Sequence, residues 1–295
     1  KDFFPKQEFE ITGELLQSLI DSGFDHMGFE GHNNSCFIVV ILMIFSLDQN
    51  LIERINTQVF AGFLMRCIIE KFRSSLFVDR MILELFRTEA IALMPSSMSA
   101  GFMGVSCPND FLFQLEEANI VKRGPYLTPP LDSQGSRVSA SCVVLERGKP
   151  IKNSHGKTLK NPGFDGQRFK DLSNALSHAV GETSLSETLL FQFKEGFDDS
   201  GRAVPQGAGA MSFPTKNPRV NGNSLSLFAF TRIQRTHYQI VLYLDGMFFN
   251  FNSLSLANEG HTLPVLSRMT EEEAYSLFST DAHTCVFRCL NKIKK

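Results

Sequence analysis

The sequence predicts an α+β protein, with helices in the first half and a sheet in the second. Three observations carry that prediction. From Cys36 to about Leu93 apolar residues recur at three- and four-residue steps. After Gly124 the texture changes to a stretch from Thr128 to Ser141 rich in Pro, Ser and Gly. In the last quarter, Asp245-Gly246 separates two β-prone runs, His237 to Leu244 and Met247 to Leu254, which is a strong hairpin signal. Helices followed by strands is an α+β layout.

Taken in order, Glu8 to Ser22 turns helical late, with Leu15, Leu16, Leu19 and Ile20 on one face and Gly23 as its end. Asp25 to Ser35 is an irregular polar approach to Cys36. Asn33, Asn34 and Ser35 suit a turn and an N-cap, so Cys36 is expected to open a buried helix. Its periodic successors run through Leu51, Ile52, Ile55, Val59, Phe63 and Leu64, then through Met81, Ile82, Leu85 and Phe86. Pro95 to Pro108 is a loop, and Asp110 opens a further short helix. Ser141 to Glu146 is β-prone, Asp171 to His178 suits a short helix, and Ser186 to Phe193 fits a strand or a helix equally. Gly196 to Asn223 lacks periodicity and is expected to be a long loop or insertion. Leu225 to Ile233 is apolar-rich, and Thr284 to Phe287 is a closing apolar run. The expected organisation is an N-terminal extension over 1–27, a helical part over 28–124, and a sheet part over 125–295 with an insertion near 196–223.

Composition narrows the function. A chain of 295 residues with a formal net charge of −2 carries neither a nucleic-acid footprint nor a polybasic membrane patch. Neither a nucleic acid nor a membrane is therefore expected as a partner. The apolar run from Cys36 to Phe45 falls short of the roughly 20 residues that span a bilayer. The six cysteines, Cys36, Cys67, Cys107, Cys142, Cys285 and Cys289, form no C-x-x-C pair, so neither a disulfide framework nor a zinc site is expected. Cys285, Cys289 and His283 suit core packing better than a metal cluster, and no metal or cofactor is expected. Such cysteine usage fits a reducing, cytoplasmic compartment. Lys1 to Pro5 shows no signal peptide, and a chain opening on lysine suggests an excised domain of a larger protein or a processed product.

Chemistry gathers at two places. A cysteine opening a helix sits beside unsatisfied N–H groups and the positive end of the dipole, which favours the thiolate. A two-residue turn at Asp245-Gly246 sets Leu244 opposite Met247, Gln239 opposite Asn252 and His237 opposite Leu254. His237 and Asn252 then share a face as diagonal neighbours, with Asn250 one step farther along. Cysteine, histidine and asparagine so placed suit a thiol-peptidase triad. Asn33 or Asn34, with the Cys36 amide, suits an oxyanion donor pair. The bland alternative is an inert core cysteine, a satisfied strand-end histidine and a surface asparagine. Asp245 suits turn chemistry, and His26, His32, His155, His178, His261 and His283 offer no comparable pattern.

Several of these segments resemble the ubiquitin-specific proteases, most of all the cylindromatosis-type branch. Gly31 to Phe37 resembles the cysteine box, Thr236-His237-Tyr238 the histidine box, and Phe251 to Leu254 the segment holding the third catalytic residue. Leu85 to Glu89, Cys107 to Leu112, Ser141 to Leu145, Arg147 to Lys160 and Asp281 to Cys285 are similar to further pieces of that domain. The likeness runs in pieces from Gly28 to Leu290 and is specific at the two catalytic boxes. It implies a papain-like right-hand fold with a helical thumb, a β-sheet palm and a cleft between them. It also implies Cys36 as nucleophile, His237 as general base and Asn252 as the orienting residue. The partner implied is ubiquitin or a polyubiquitin chain, linear or extended lysine-linked by analogy with the cylindromatosis type, met by a monomeric catalytic domain.

The sequence departs from the pattern at several points. The cylindromatosis type has aspartate where Asn252 stands. Gly31 occupies a position often held by an oxyanion asparagine, which makes Asn34 the implied donor. The zinc-binding cysteine pairs and a B-box-like insertion are missing, and the chain between Tyr126 and Ser139 is too short for full fingers. The reduced fingers leave open a second function, a catalytically inactive ubiquitin-binding or scaffold module of the same fold. A papain-like deamidase or transferase would keep the triad with another substrate.

Overall fold

A computed structural model describes residues 10–24, 27–30, 35–94, 108–122, 142–145, 151–152, 158–159, 173, 188–193, 196–197, 203–204, 217–220, 222–234, 237–253 and 265–290. The chain forms two compact units, Lys1–Arg123 with Thr236–Glu271, and Gly124–Arg235 with Glu272–Lys295. The first unit opens with α1 (Gly13–Asp21), β1 (Gly28–Phe29), α2 (Cys36–Ser46), α3 (Gln49–Ile52), α4 (Phe60–Ser75), β2 (Phe77–Val78), α5 (Arg80–Ala92) and α6 (Pro108–Glu117). The second supplies β3 (Cys142–Leu145), β4 (Ile151–Lys152), β5 (Thr158–Leu159), β6 (Thr188–Phe193), β7 (Gly196–Phe197), β8 (Ala203–Val204), β9 (Arg219–Val220) and β10 (Asn223–Gln234). The chain then returns to the first unit for β11 (His237–Leu244), β12 (Met247–Asn252) and β13 (Val265–Met269), and closes with α7 (Glu271–Asp281) and β14 (Ala282–Cys289).

The first unit is built around α2. Every residue from Cys36 to Ser46 is buried, as a helix apolar all round requires. It packs against α3, α4, α6 and β11. Phe37 meets Phe111 of α6 edge-on at 5.2 Å, and Phe111 in turn meets Phe86 of α5 at 6.4 Å. The surrounding helices are fixed by local chemistry. Asp48 accepts from the Asn50 and Leu51 amides to start α3, and Asp79 accepts from Met81 and Ile82 to start α5. Leu76, at φ 59°, ends α4 in the left-handed region. The chain then adds a short parallel pair, Gly28 opposite Phe77 and Phe29 opposite Val78, which two-residue strands leave unmarked in the sequence. Among the described residues no helix is long and apolar enough to cross a membrane.

Gly62 marks a tight approach in this unit. A Cβ there would lie 2.1 Å from the Asn56 carbonyl oxygen and 3.2 Å from that of Ile120. Those two backbones are themselves tied by the Asn56 amide donating to Ile120 at 2.9 Å, so neither can withdraw alone. Gly62→Ala is expected to cost about 3 kcal/mol of stability, read as a lowered denaturation midpoint; a midpoint equal to wild type would contradict this contact.

The hairpin adopts the register that its turn dictates. Leu244 faces Met247, Tyr243 faces Phe248, Leu242 faces Phe249, Val241 faces Asn250 and Ile240 faces Phe251. Asp245 and Gly246 take φ values of 51° and 77°, the positive pair of a primed two-residue turn. The Asp245 carboxylate also accepts from the Gly13 amide at 2.7 Å, placing a negative charge at the start of α1. Residues ahead of Met27 thus include a helix docked on the hairpin. β13 extends this sheet antiparallel to β12, from Phe248 opposite Met269 to Asn252 opposite Val265.

In the second unit β10 pairs antiparallel with β14, β14 antiparallel with β6, and β6 parallel with β3. The segment Ser186 to Phe193, open between helix and strand in the sequence, is strand from Thr188. Within the expected insertion near 196–223, β7 pairs with β8 and β9 pairs with the start of β10, so its described parts carry short strands. Phe278 of α7 packs edge-on against Phe230 of β10 at 5.4 Å. Among the longer elements, β13 and α7 carry no sequence expectation. For α7 the signal was present: Thr270 and Glu273 have capping-box spacing at its start. The loop expected over Pro95 to Pro108 and the helix expected over Asp171 to His178 lie outside the described residues, apart from Pro108 and Ser173.

Candidate active site

Cys36 is the first residue of α2, as the polar cluster before it predicts. The capping differs from expectation. Ser35 occupies the N-cap position with φ −80° and ψ 3°, and its side chain makes no capping hydrogen bond. Its carbonyl instead accepts from the Ile38 and Val39 amides at 2.9 and 3.0 Å. The side chain of a non-extended N-cap points away from the amides it would need.

The cysteine is only 5% exposed. Three backbone N–H groups donate to its sulfur: those of Cys36 and Phe37 in the first turn, and that of Tyr238 in β11. Arg87 of α5 adds a positive charge. All four favour the thiolate, yet burial outweighs them and pushes the thiol above its ordinary range. The helix start favours the thiolate in the expected direction, but it is not the largest influence on this sulfur. Desolvation of the charged form is the larger effect when so little water reaches the sulfur.

His237 opens β11 and Asn252 ends β12. His237 Nε2 lies 2.7 Å from Asn252 Oδ1, joining the two residues that the register makes diagonal neighbours. An amide oxygen only accepts, so Nε2 donates and carries the hydrogen. In the neutral ring the basic lone pair is then on Nδ1, which is buried. Asn250, on the same face, does not take this role; its Oδ1 is buried without a hydrogen-bond partner. Cys36, His237, Tyr238 and Asn252 all belong to the first unit, where α2 packs on β11. The arrangement provides a thiol, a histidine in the tautomer that can take a proton, and an amide that fixes the ring.

Asn34, implied as the oxyanion donor, lies outside the described residues, as do Gly31 and Asn33. His283 and Cys285 sit in the second unit's core. His283 is 1% exposed with Nδ1 3.0 Å from Thr284 Oγ1, and burial pushes the Cys285 thiol well up. Among the described residues no group of three His, Cys, Asp or Glu side chains is placed to hold a metal ion. Two participants in the site escaped the sequence. The Tyr238 N–H is a backbone group with no side-chain signature, and its contact arises only when α2 docks on β11. Arg87 reads as one more charge on an amphipathic helix, and nothing in its spacing marks it as buried.

No protein-family model matches the chain, and none of the curated proteins does. Among solved structures it resembles an essential yeast splicing factor at 11% identity and a TM-score of 0.57, over 90% of this chain and 70% of that one. It also resembles the Saccharomyces cerevisiae Pan2 pseudoubiquitin hydrolase–RNA exonuclease module, solved with AAUUAA RNA, at 10% identity and a TM-score of 0.50. That likeness covers 92% of this chain and 54% of the Pan2 chain. The Ubp8–Sgf11–Sgf73–Sus1 SAGA DUB module follows at 12% identity and a TM-score of 0.45, over 89% of this chain and 67% of that one. At these identities the likeness is one of fold, with helices and a largely antiparallel sheet.

Proposed function

We propose that this chain is a cysteine-type deubiquitinase domain that hydrolyses isopeptide or peptide bonds after the C-terminus of ubiquitin. The observation that carries the proposal is the hydrogen bond from His237 Nε2 to Asn252 Oδ1 at 2.7 Å, on a strand packed against the helix that Cys36 opens. In this reaction His237 Nδ1 takes the Cys36 proton, and the sulfur attacks the carbonyl carbon of the terminal glycine. The amine leaves with the proton that His237 returns, and water then releases ubiquitin from the thioester. Asn34 and the Cys36 amide are proposed to hold the oxyanion. The proposed layout is a right hand of cylindromatosis type, with a helical thumb over 28–124 and a palm with reduced fingers over 125–295. Linear and extended lysine-linked chains are the first substrates to try, in a cytoplasmic setting.

A second function draws on a specific likeness, the fold shared with a pseudoubiquitin hydrolase, and on the burial of Cys36, which pushes its thiol up. Under it the chain binds ubiquitin without cutting. Di-ubiquitin of each linkage, incubated with the chain and resolved on gels, separates the two when ubiquitin binding is measured in parallel by calorimetry. Monoubiquitin release supports the hydrolase. Binding with no release in any linkage contradicts it and favours the inactive module.

A further inference from the structure

We propose that α1 is a positioning element for the candidate active site, bracing the strands that carry His237 and Asn252 at the tip of their hairpin and along β13. This role rests on Asn252 orienting His237, as the proposed function has it. It moves the start of the working domain ahead of Gly28, into the segment that the sequence marks as an extension. The contact at the tip is close. Asp245 and Gly246 take φ values of 51° and 77°, and Asp245 Oδ2 accepts from the Gly13 amide at 2.7 Å. A Cβ on Gly13 would stand 2.6 Å from the Leu244 carbonyl oxygen and 2.8 Å from Met247 Cε. The Met247 methyl can swing aside, but the Leu244 carbonyl is strand backbone and cannot. The helix itself has no need of this glycine, since alanine is the better helix former. Closeness to the hairpin is what excludes a side chain. Thr12 caps the helix by accepting from the Leu15 amide at 3.1 Å, and Leu16 is wholly buried.

From the tip the brace reaches the site through β13. α1 packs on β13 as well as on the turn, and all of these elements belong to the first unit. β13 pairs with β12 along its length, Phe248 opposite Met269 at one end and Asn252 opposite Val265 at the other. The orienting residue thus closes a strand whose neighbour on one side is held by α1. On its other side β12 pairs with β11, which begins at His237, and the 2.7 Å bond from Nε2 to Asn252 Oδ1 joins the two strands at that end. A slide of β12 against β11 is opposed at the turn by Gly13 and along the outer strand by the body of α1. Such bracing matters for catalysis because a displacement of about 1 Å in a positioning group can cost up to about a hundredfold in rate.

The test is amide hydrogen exchange of the full chain, read peptide by peptide by mass spectrometry, with hydrolysis rates measured in parallel. Gly13→Ala favours the helix but forces it off the Leu244 backbone. The β12 and β13 amides should then exchange about tenfold faster, with α4 and α5 unchanged. Asp245→Gly keeps the positive φ of the tip and removes the carboxylate, and should act in the same direction. Asp245→Asn keeps both an acceptor and the tolerance for positive φ, and should retain wild-type protection. On a ubiquitin substrate, Gly13→Ala should lower kcat about tenfold at unchanged KM. Exchange needs no turnover, so a chain that hydrolyses nothing fails the deubiquitinase proposal while exchange in β12 still decides the role of α1. Protection in β12 and β13 unmoved by Gly13→Ala, or lost equally in α4 and α5, overturns that role, as does a loosened β12 with wild-type kcat. If Gly13→Ala does not fold, Asp245→Gly decides by the same readouts.

Discussion

Cys36→Ala is expected to bring hydrolysis of a ubiquitin substrate to background, about a millionfold below wild type, with ubiquitin affinity nearly unchanged. In the proposed mechanism the sulfur forms the covalent intermediate, and nothing else in the first turn of α2 can replace it. Binding draws on many contacts across a surface, so one buried atom contributes little to it. The substitution is also mild for the fold. It removes one sulfur atom at a helix start, where alanine is the best helix former. Initial rates on a fluorogenic ubiquitin substrate and calorimetric affinities for both proteins make the comparison. Equal turnover in the two would end the assignment of Cys36 as nucleophile.

Asn252 is where the second large effect is expected. Its Oδ1 holds the ring of His237 through Nε2, fixing both its orientation and the tautomer with the lone pair on Nδ1. Asn252→Ala should slow turnover about a hundredfold, through a misoriented imidazole, with little change in melting temperature. His237→Ala removes the base itself and should cost more. Asn252→Asp should be tolerated, since a carboxylate accepts the same hydrogen bond and also stabilises the imidazolium. Asn250→Ala, two residues back on the same face, is the control and should do less. If Asn250→Ala is the more damaging, the orienting residue has been misassigned, despite the 2.7 Å contact at Asn252.

The parts of this protein legible in the sequence are those governed by short-range rules. Asp245-Gly246 specifies a primed turn, the turn fixes the register, and the register puts His237 beside Asn252 with no tertiary information needed. The uninterrupted apolar run after Cys36 likewise announces a helix buried on every side. What stayed hidden depends on which surfaces meet. The net state of the Cys36 thiol is a contest between burial and donors, and burial is known only once α2 is enclosed. The Tyr238 amide and the Arg87 guanidinium join the site through docking, and no local pattern marks either. Asp245 illustrates the limit well: its turn role is written in the dipeptide, but its bond to Gly13 spans nearly the whole chain. β1 and β2 are too short for any periodicity, whereas α7 did carry a capping-box signal in Thr270 and Glu273.

The central claim is that Cys36 attacks the carbonyl at the ubiquitin C-terminus. A ubiquitin whose C-terminus carries a thiol-reactive electrophile tests it most directly, because the protein itself selects the sulfur that reacts. The expected result is one ubiquitin added per chain by intact mass, with the linkage mapped to Cys36 and lost in Cys36→Ala. Labelling should also fall in His237→Ala, where no base removes the proton. No adduct under conditions where ubiquitin binds, or an adduct at Cys67 or Cys289 instead, would contradict it.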